Sequence, residues 1–217
     1  MKLIVFDWDG TLADSTSMIV GALQRSCADL GLPVPDQRQA RYVIGLGLRD
    51  TLLTVAPTLT EDRYPEMVAA FRKNYLEGEH DIRLFDGVRE MLADLNDRGA
   101  LLGVATGKSR AGLDRALSGL GIGKEFVATR CADEGQPKPH PEMLHHVVNT
   151  CGVAHERAVM VGDTTHDLQL AKNAGVASMA VAYGAHTPSD FDGYAPLATA
   201  HSISELHQHL IQWLAHE

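Results

Sequence analysis

Cysteine is scarce in this chain of 217 residues: there are three, Cys27, Cys131 and Cys151. An odd number at wide spacing, with no Cys-x-x-Cys pair, excludes a disulfide-stapled scaffold and offers no zinc or redox motif. Reduced thiols are expected. Long apolar runs are missing too; Leu101 to Ala105 is typical, far below the roughly 20 residues of a membrane-spanning helix. The apolar start, Met1 to Phe6, is too short for a secretory leader and runs straight into Asp7 and Asp9, so a cytoplasmic address is expected. Positive charge is in deficit, with 19 Lys and Arg against 28 Asp and Glu and a formal net charge of -9. Nucleic acid and anionic membrane are therefore not expected as partners, whereas a small anion responds to local charge and stays open. No repeat or low-complexity tract interrupts the chain. What is there is a globular composition, 45% hydrophobic and 22% charged, with length enough for one large domain or a core plus a small one.

Short β-branched and aromatic runs mark candidate strands at Lys2–Phe6, Leu101–Ala105, Phe126–Thr129, Ala158–Val161 and Ser178–Val181. Helical patterning falls between them at Gly87–Arg98, Glu142–Thr150 and Leu168–Asn173, and closes the chain at Ile203–Leu214. Near-continuous apolar strands alternating with helices predict an α/β fold, a parallel sheet covered on both faces. One stretch breaks the alternation. From Ser15 to Glu79 there is helical periodicity and almost no strand signal, with Ser15 or Thr16 opening a helix to Leu30 and a second helix over Arg63–Leu76. Pro33-Val34-Pro35 and Gly45-Leu46-Gly47 mark turns inside it. The expected organisation is a core of residues 1–14 and 80–217 with a helical domain, 15–79, inserted.

Four clusters at strand ends carry chemistry. In Asp7-Trp8-Asp9-Gly10-Thr11-Leu12 two carboxylates two residues apart follow an apolar strand, so in extended geometry they project to one side. One can attack phosphorus as a nucleophile while the other shuttles the proton, and Gly10 with Thr11 lets the backbone turn closely around a phosphate. Asp-x-Asp alone is also an ordinary acidic turn, but the longer Asp-x-Asp-Gly-Thr string arises by accident in roughly one chain of this length in several hundred. Thr106-Gly107-Lys108 sets a hydroxyl and a glycine amide at a strand end and helix start, which suits phosphate oxygens and equally a plain helix-start turn. Lys138, in Gln136-Pro137-Lys138-Pro139-His140-Pro141, is either a positioned cation or a solvated one. Met160-Val161-Gly162-Asp163-Thr164-Thr165-His166-Asp167 brings acids after another strand. Asp7, the backbone carbonyl of Asp9 and Asp163 are hard oxygen donors suited to Mg²⁺, with Asp167 behind them holding a metal-bound water or Lys138. Unpaired, such acids repel by about 4 kcal/mol at about 4 Å and an effective dielectric near 20, so Mg²⁺ and Lys138 are integral to the reading.

These four clusters in this order resemble the haloacid dehalogenase-like superfamily of phosphohydrolases, over essentially the whole chain. The insertion after the first cluster is similar to the cap of the subgroup holding phosphoglycolate phosphatases and β-phosphoglucomutases, and the resemblance implies a Rossmann-like, doubly wound core. It implies that Asp7 is the nucleophile and Asp9 the general acid/base, that Thr106 and Lys138 bind phosphate, and that Asp7, Asp9 and Asp163 bind Mg²⁺. Asp9 favours phosphate chemistry, because the dehalogenases of the superfamily lack an acid there.

The implied activity is hydrolysis of a small phosphorylated metabolite, phosphoglycolate or a sugar phosphate, by a monomer or homodimer. Two other activities fit the same motifs: a phosphosugar mutase, which returns the phosphoryl group to its sugar, and a phosphoaspartate signalling module. Gly10, Thr11 and Gly107 are candidate substrate contacts. Arg49, in Gly45-Leu46-Gly47-Leu48-Arg49, is a candidate partner for a substrate anion and equally a solvated helix-start arginine.

Overall fold

The computed structural model describes residues 1–216. Its first strand, β1 (Leu3–Phe6), is wholly buried because each pleat face meets a different apolar layer: Ile4 and Phe6 enter one cluster, Leu3 and Val5 the other. A two-residue strand β2 (Ala13–Asp14) follows, then four helices, α1 (Thr16–Asp29), α2 (Gln37–Tyr42), α3 (Leu48–Val55) and α4 (Tyr64–Glu79). Next come β3 (Arg83–Leu84), α5 (Val88–Asp97), β4 (Leu101–Thr106), α6 (Arg110–Leu120) and β5 (Ala128–Cys131). The chain ends with α7 (Glu142–Cys151), β6 (Ala158–Gly162), α8 (Thr165–Ala174), β7 (Ala177–Val181), β8 (Thr199–Ala200) and α9 (Ile203–Ala215).

The main sheet is six-stranded and parallel in the order β5-β4-β1-β6-β7-β8, an α/β Rossmann-like core. Leu3 pairs with Leu101 on one side and Ala158 on the other. Helices α5, α6 and α9 cover one face through Met91, Leu113 and Leu206; α7 and α8 cover the other through Val147 and Leu170. Each such side chain, fully buried, contributes about 1.5–3 kcal/mol. From β1 the chain crosses to β4 and β5 on one side, then returns to β6 on the other. The winding reverses between β1 and β6, and the crevice beyond their carboxyl ends is where sheets of this kind bind ligands.

Helices α1 to α4 bury an apolar cluster of their own, including Leu23, Leu52 and Met67, and it takes in Ala185 from the loop after β7. Helices α1 and α4 are cross-tied by Asn74, whose Nδ2 donates to Ser26 Oγ (3.2 Å) and to Asp29 (3.0 Å). At the base of this layer β2 and β3 form an antiparallel ribbon, Ala13 opposite Leu84.

One expectation is refined and one corrected. Helices α2 and α3 lie within the stretch of expected helical periodicity, though no bounds were assigned to them; α2 opens at Asp36, whose Oδ1 accepts the Gln39 N–H (2.7 Å) while Gln39 accepts the Asp36 N–H (2.9 Å), a reciprocal cap. The strand expected over 126–129 begins later, as β5: Gly123–Glu125 forms a short 3₁₀ turn, Phe126 packs into the core, and pairing with β4 starts at Ala128. Gly45-Leu46-Gly47 is the expected turn. No helix among the described residues is long and apolar enough to cross a membrane.

Candidate active site

Asp7 stands at the end of β1, where its N–H continues the ladder to Val161 O at 2.8 Å. It is fully buried. Lys138, equally buried, donates from Nζ to Asp7 Oδ1 (2.5 Å) and to Asp167 Oδ1 (2.6 Å). The second Asp7 oxygen, Oδ2, has no hydrogen-bond partner. Asp163, at the end of β6, accepts the Thr11 hydroxyl on Oδ1 (3.0 Å) and the Ala185 N–H on Oδ2 (2.6 Å). Asp167 caps α8, its Oδ2 accepting Thr164 N–H (3.1 Å) and Oγ1 (2.7 Å). One residue thus fixes a helix start and aims the lysine. Gly10 has φ +87°, and a Cβ there would overlap the Asp163 carboxylate. Glycine is needed on both counts.

Burial is the main force on these acids. It pushes the Asp7 carboxyl well above its ordinary range; Lys138 pulls back, and Asp167 and Asp163 push further. Asp163 is pushed up to about 7, again chiefly by burial and by Asp167, against the lowering effect of the Ala185 N–H and the Thr11 hydroxyl. Burial pulls Lys138 down, but Asp167 and Asp7 outweigh it and hold the ammonium above its usual value. Asp7, Asp163 and Asp167 each bring a carboxylate oxygen within 4.8 Å of the others. Three buried acids with oxygens this close and one ammonium among them fit a hard divalent cation such as Mg²⁺.

The Asp9 side chain belongs to a different group. Its Oδ1 accepts the Ser15 hydroxyl at 2.7 Å, and Lys108 Nζ lies 3.1 and 3.2 Å from its two oxygens. Lys108 also reaches Tyr75 Oη of α4 at 2.5 Å. Burial and the charge of Asp9 push the tyrosine hydroxyl up to about 12. Lys108, Tyr75 and Ser15 were not picked out as site residues from the sequence. Lys108 was visible within Thr106-Gly107-Lys108; for Tyr75 the signal was the pair Phe71 and Tyr75, one turn apart on α4 and in contact. Thr106 is buried, its hydroxyl accepting the Lys108 N–H at 3.2 Å. Gly107 packs under the helical layer: a Cβ would lie 2.5 Å from Leu46 O and 2.6 Å from Gly45 O.

A cavity of about 400 Å³ opens from Asp9, Gly107 and Lys108 into the space between α6 and the helical layer. Arg49 does not line it. Its Nη2 bonds Glu61 at 2.6 Å and its guanidinium lies over Tyr64, on an exposed face; the short α3, opened by Gly47, carries it away from the cavity. Arg41 instead ties the helical layer to the core, donating to the carbonyls of Gly184 (2.5 Å) and Ala185 (3.1 Å). His166 and His186 meet the Tyr42 carbonyl at 2.7 and 3.1 Å, and burial lowers the pKa of both.

Comparison with known proteins follows the same lines. The family model described as haloacid dehalogenase-like hydrolase matches residues 4–181. A probable phosphatase, IndB, of Dickeya dadantii is 36% identical over 94% of this chain and 91% of its own. The tyrosine-protein kinase PtkA of Mycobacterium tuberculosis is 31% identical over 96% of this chain and 72% of its own. A phosphoglycolate phosphatase of Vibrio parahaemolyticus is 32% identical over 95% and 94%. Among solved structures, a haloacid dehalogenase-like family hydrolase of Streptococcus pneumoniae superposes with a TM-score of 0.83 at 28% identity, covering 97% of this chain and 98% of that one. The reversed winding at β1 and β6, the acids at their ends and these matches together make this chain a member of the haloacid dehalogenase-like hydrolase family.

Proposed function

We propose that this enzyme is a Mg²⁺-dependent phosphomonoesterase working through a covalent aspartyl-phosphate on Asp7, with residues 15–79 as the cap over a core of 1–14 and 80–217. The observation that carries the reading is the asymmetric Asp7 carboxylate, one oxygen held by Lys138 and the other free of any partner. An oxygen so placed is aimed and uncommitted, as a nucleophile must be.

Asp7 Oδ2 attacks phosphorus; the new O–P bond forms as the ester O–P bond breaks, and the Asp9 carboxyl donates its proton to the departing alkoxide. Asp9, now a carboxylate, takes a proton from water, which attacks the same phosphorus and frees Asp7 and inorganic phosphate. Ser15 and Lys108 hold Asp9 in one orientation for both steps. The Thr106 hydroxyl, the Gly107 backbone and Lys138 take the phosphoryl oxygens, with Gly10 and Thr11 closing the loop beside them. Asp7, Asp163 and the Asp9 carbonyl are the residues that would hold Mg²⁺, with Asp167 behind them tethering Lys138. When bound, the cation offsets charge that gathers on the phosphoryl oxygens. Phosphoglycolate and sugar phosphates share the phosphoryl end of this scheme and differ at the leaving group.

The test is phosphate release from acetyl phosphate and a panel of phosphomonoesters with and without Mg²⁺, paired with mass spectrometry of acid-quenched protein. Mg²⁺-dependent release with a phosphoryl adduct on the peptide containing Asp7 is expected. Release without an adduct, undiminished in Asp7→Asn, would falsify the covalent step. Turnover that requires a sugar bisphosphate would point to a mutase, and an adduct that outlives the assay to a signalling module.

A further inference from the structure

We infer that the leaving group this site accepts is an apolar body, aromatic or branched aliphatic, joined to phosphate through an alcohol oxygen. The inference rests on the phosphomonoesterase reading and concerns the part of the substrate which that reading leaves open.

The cavity of about 400 Å³ is lined by Asp9, from which the departing oxygen takes its proton, by Gly107 and Lys108, and by residues of the helical layer and α6, and Asp7 is not in its lining. Whatever is esterified to the phosphate therefore lies in it. Its walls are Ile44, Leu46 and Leu48 on one side, Phe71 and Leu76 on the other. Most of the polar side chains among the lining are already paired. Lys108 is held by Asp9 and Tyr75, and the Asp9 carboxylate by Lys108 and Ser15. Both Arg115 Nε and Nη2 bond Glu79, at 3.1 Å each. The Thr51 hydroxyl turns to the carbonyls of Val43 and Leu46, and Ser109 caps α6 through Gly112 N–H. Arg72 makes no hydrogen bond among the described residues, and it is exposed.

A sugar would bring several hydroxyls into a space most of whose side-chain donors and acceptors are already paired, so that most of those hydroxyls stay unpaired or break an existing pair. A glycolate group would fill little of the volume and set its carboxylate beside Asp9, where the cation at hand, Lys108, is already paired with Asp9 and Tyr75. An apolar body meets neither obstacle, and the volume falls in the usual range of small-molecule sites.

The decisive experiment compares kcat/KM for 3-phenylpropyl phosphate, phosphoglycolate, glucose 6-phosphate and acetyl phosphate, all with Mg²⁺. The first three are esters of primary alcohols, so their differences report on the cavity. We expect 3-phenylpropyl phosphate to exceed phosphoglycolate and glucose 6-phosphate by at least about tenfold. In Leu76→Asp and in Phe71→Ala the ratio of its kcat/KM to that of acetyl phosphate should fall about tenfold. Leu76 is half-exposed, so its variant leaves the cap's own core intact. Binding gives a readout free of chemistry: calorimetry with Asp7→Asn should find 3-phenylpropylphosphonate tighter than phosphonoacetate, with a negative heat-capacity change. Turnover of acetyl phosphate with equal or reversed preference among the esters overturns the inference and leaves the phosphatase reading standing. Release from none of the four, acetyl phosphate included, overturns that reading and this inference with it.

Discussion

Around Asp7 the protein buries charge; beyond Asp9 it buries hydrocarbon. The first region hangs on strand ends of one parallel sheet, where Lys138 sits between Asp7 and Asp167 with essentially no exposure to solvent. The second is framed by the helical layer and α6, and most of its polar side chains pair with one another or with neighbouring residues. The difference teaches how labour divides. A reactive centre needs groups held rigidly by backbone, because misplacement costs rate steeply. A leaving-group cavity needs shape and dryness, which packed side chains on separate helices supply. Tyr75, Lys108 and Asp9 form a polar seam where the two meet.

The comparison breaks most visibly at its charged end. Asp7→Asn should lower kcat by on the order of 10,000-fold with the circular dichroism spectrum and Tm preserved; retained turnover would mean that the buried acids are structural. Lys138→Met removes the sole cation from among three buried carboxyls and should destabilise the protein by about 3 kcal/mol in urea unfolding, and lower kcat by about 100-fold. An unaltered urea midpoint would show that the acids there are protonated and need no counter-charge.

The charge imbalance also sets a pH signature. Asp7 and Asp163 have folded pKa values above their unfolded ones, so the stability they contribute is full below about pH 4. It is lost as pH rises through the folded value, about 7 for Asp163. Without divalent cation, Tm should therefore decline from pH 4 toward 7, against an opposing contribution from His166 and His186. Their lowered pKa values act with the opposite slope, costing stability as pH falls below about 6.5. Saturating Mg²⁺ should flatten the decline, and a melting profile indifferent to Mg²⁺ at pH 7 would speak against a cation among these acids.

The seam gives a smaller effect. Tyr75→Phe keeps the ring against Phe71 and deletes the hydroxyl at Lys108, so kcat should fall by about three- to tenfold while Tm holds. The mutation should matter less in a Lys108→Met background, a coupling that a double-mutant cycle would read. Smallest is Arg49→Gln. With its guanidinium spent on Glu61 at the surface, kcat/KM should change by less than about twofold; a large rise in KM would bring Arg49 back as a substrate contact.

Much of this was legible beforehand because local physics wrote it. A buried strand followed by Asp7 and Asp9, another followed by Asp163, and glycine at position 10 are short-range patterns, and the sheet brought them together as the parallel alternation required. The start of β5 was misjudged since Phe126 reads as a strand residue and packs as a core plug. Helices α2 and α3 lie in the stretch expected to be helical, but their bounds are not legible because six and eight residues are too short to show a period. Lys108 stood in plain view, yet nothing local distinguishes a lysine that reaches Asp9 from one that reaches water.

The sequence by itself determined the fold class, the acids at the strand ends and the existence of a helical insertion, since each follows from hydrophobic period or from residues adjacent along the chain. Only the tertiary structure decided that Asp9 pairs with Lys108 and Tyr75, that Arg49 stays outside, and that the space beyond Asp9 is apolar. Those facts depend on how separate helices dock across long stretches of chain. Docking is set by packing summed over many side chains, which no short motif encodes.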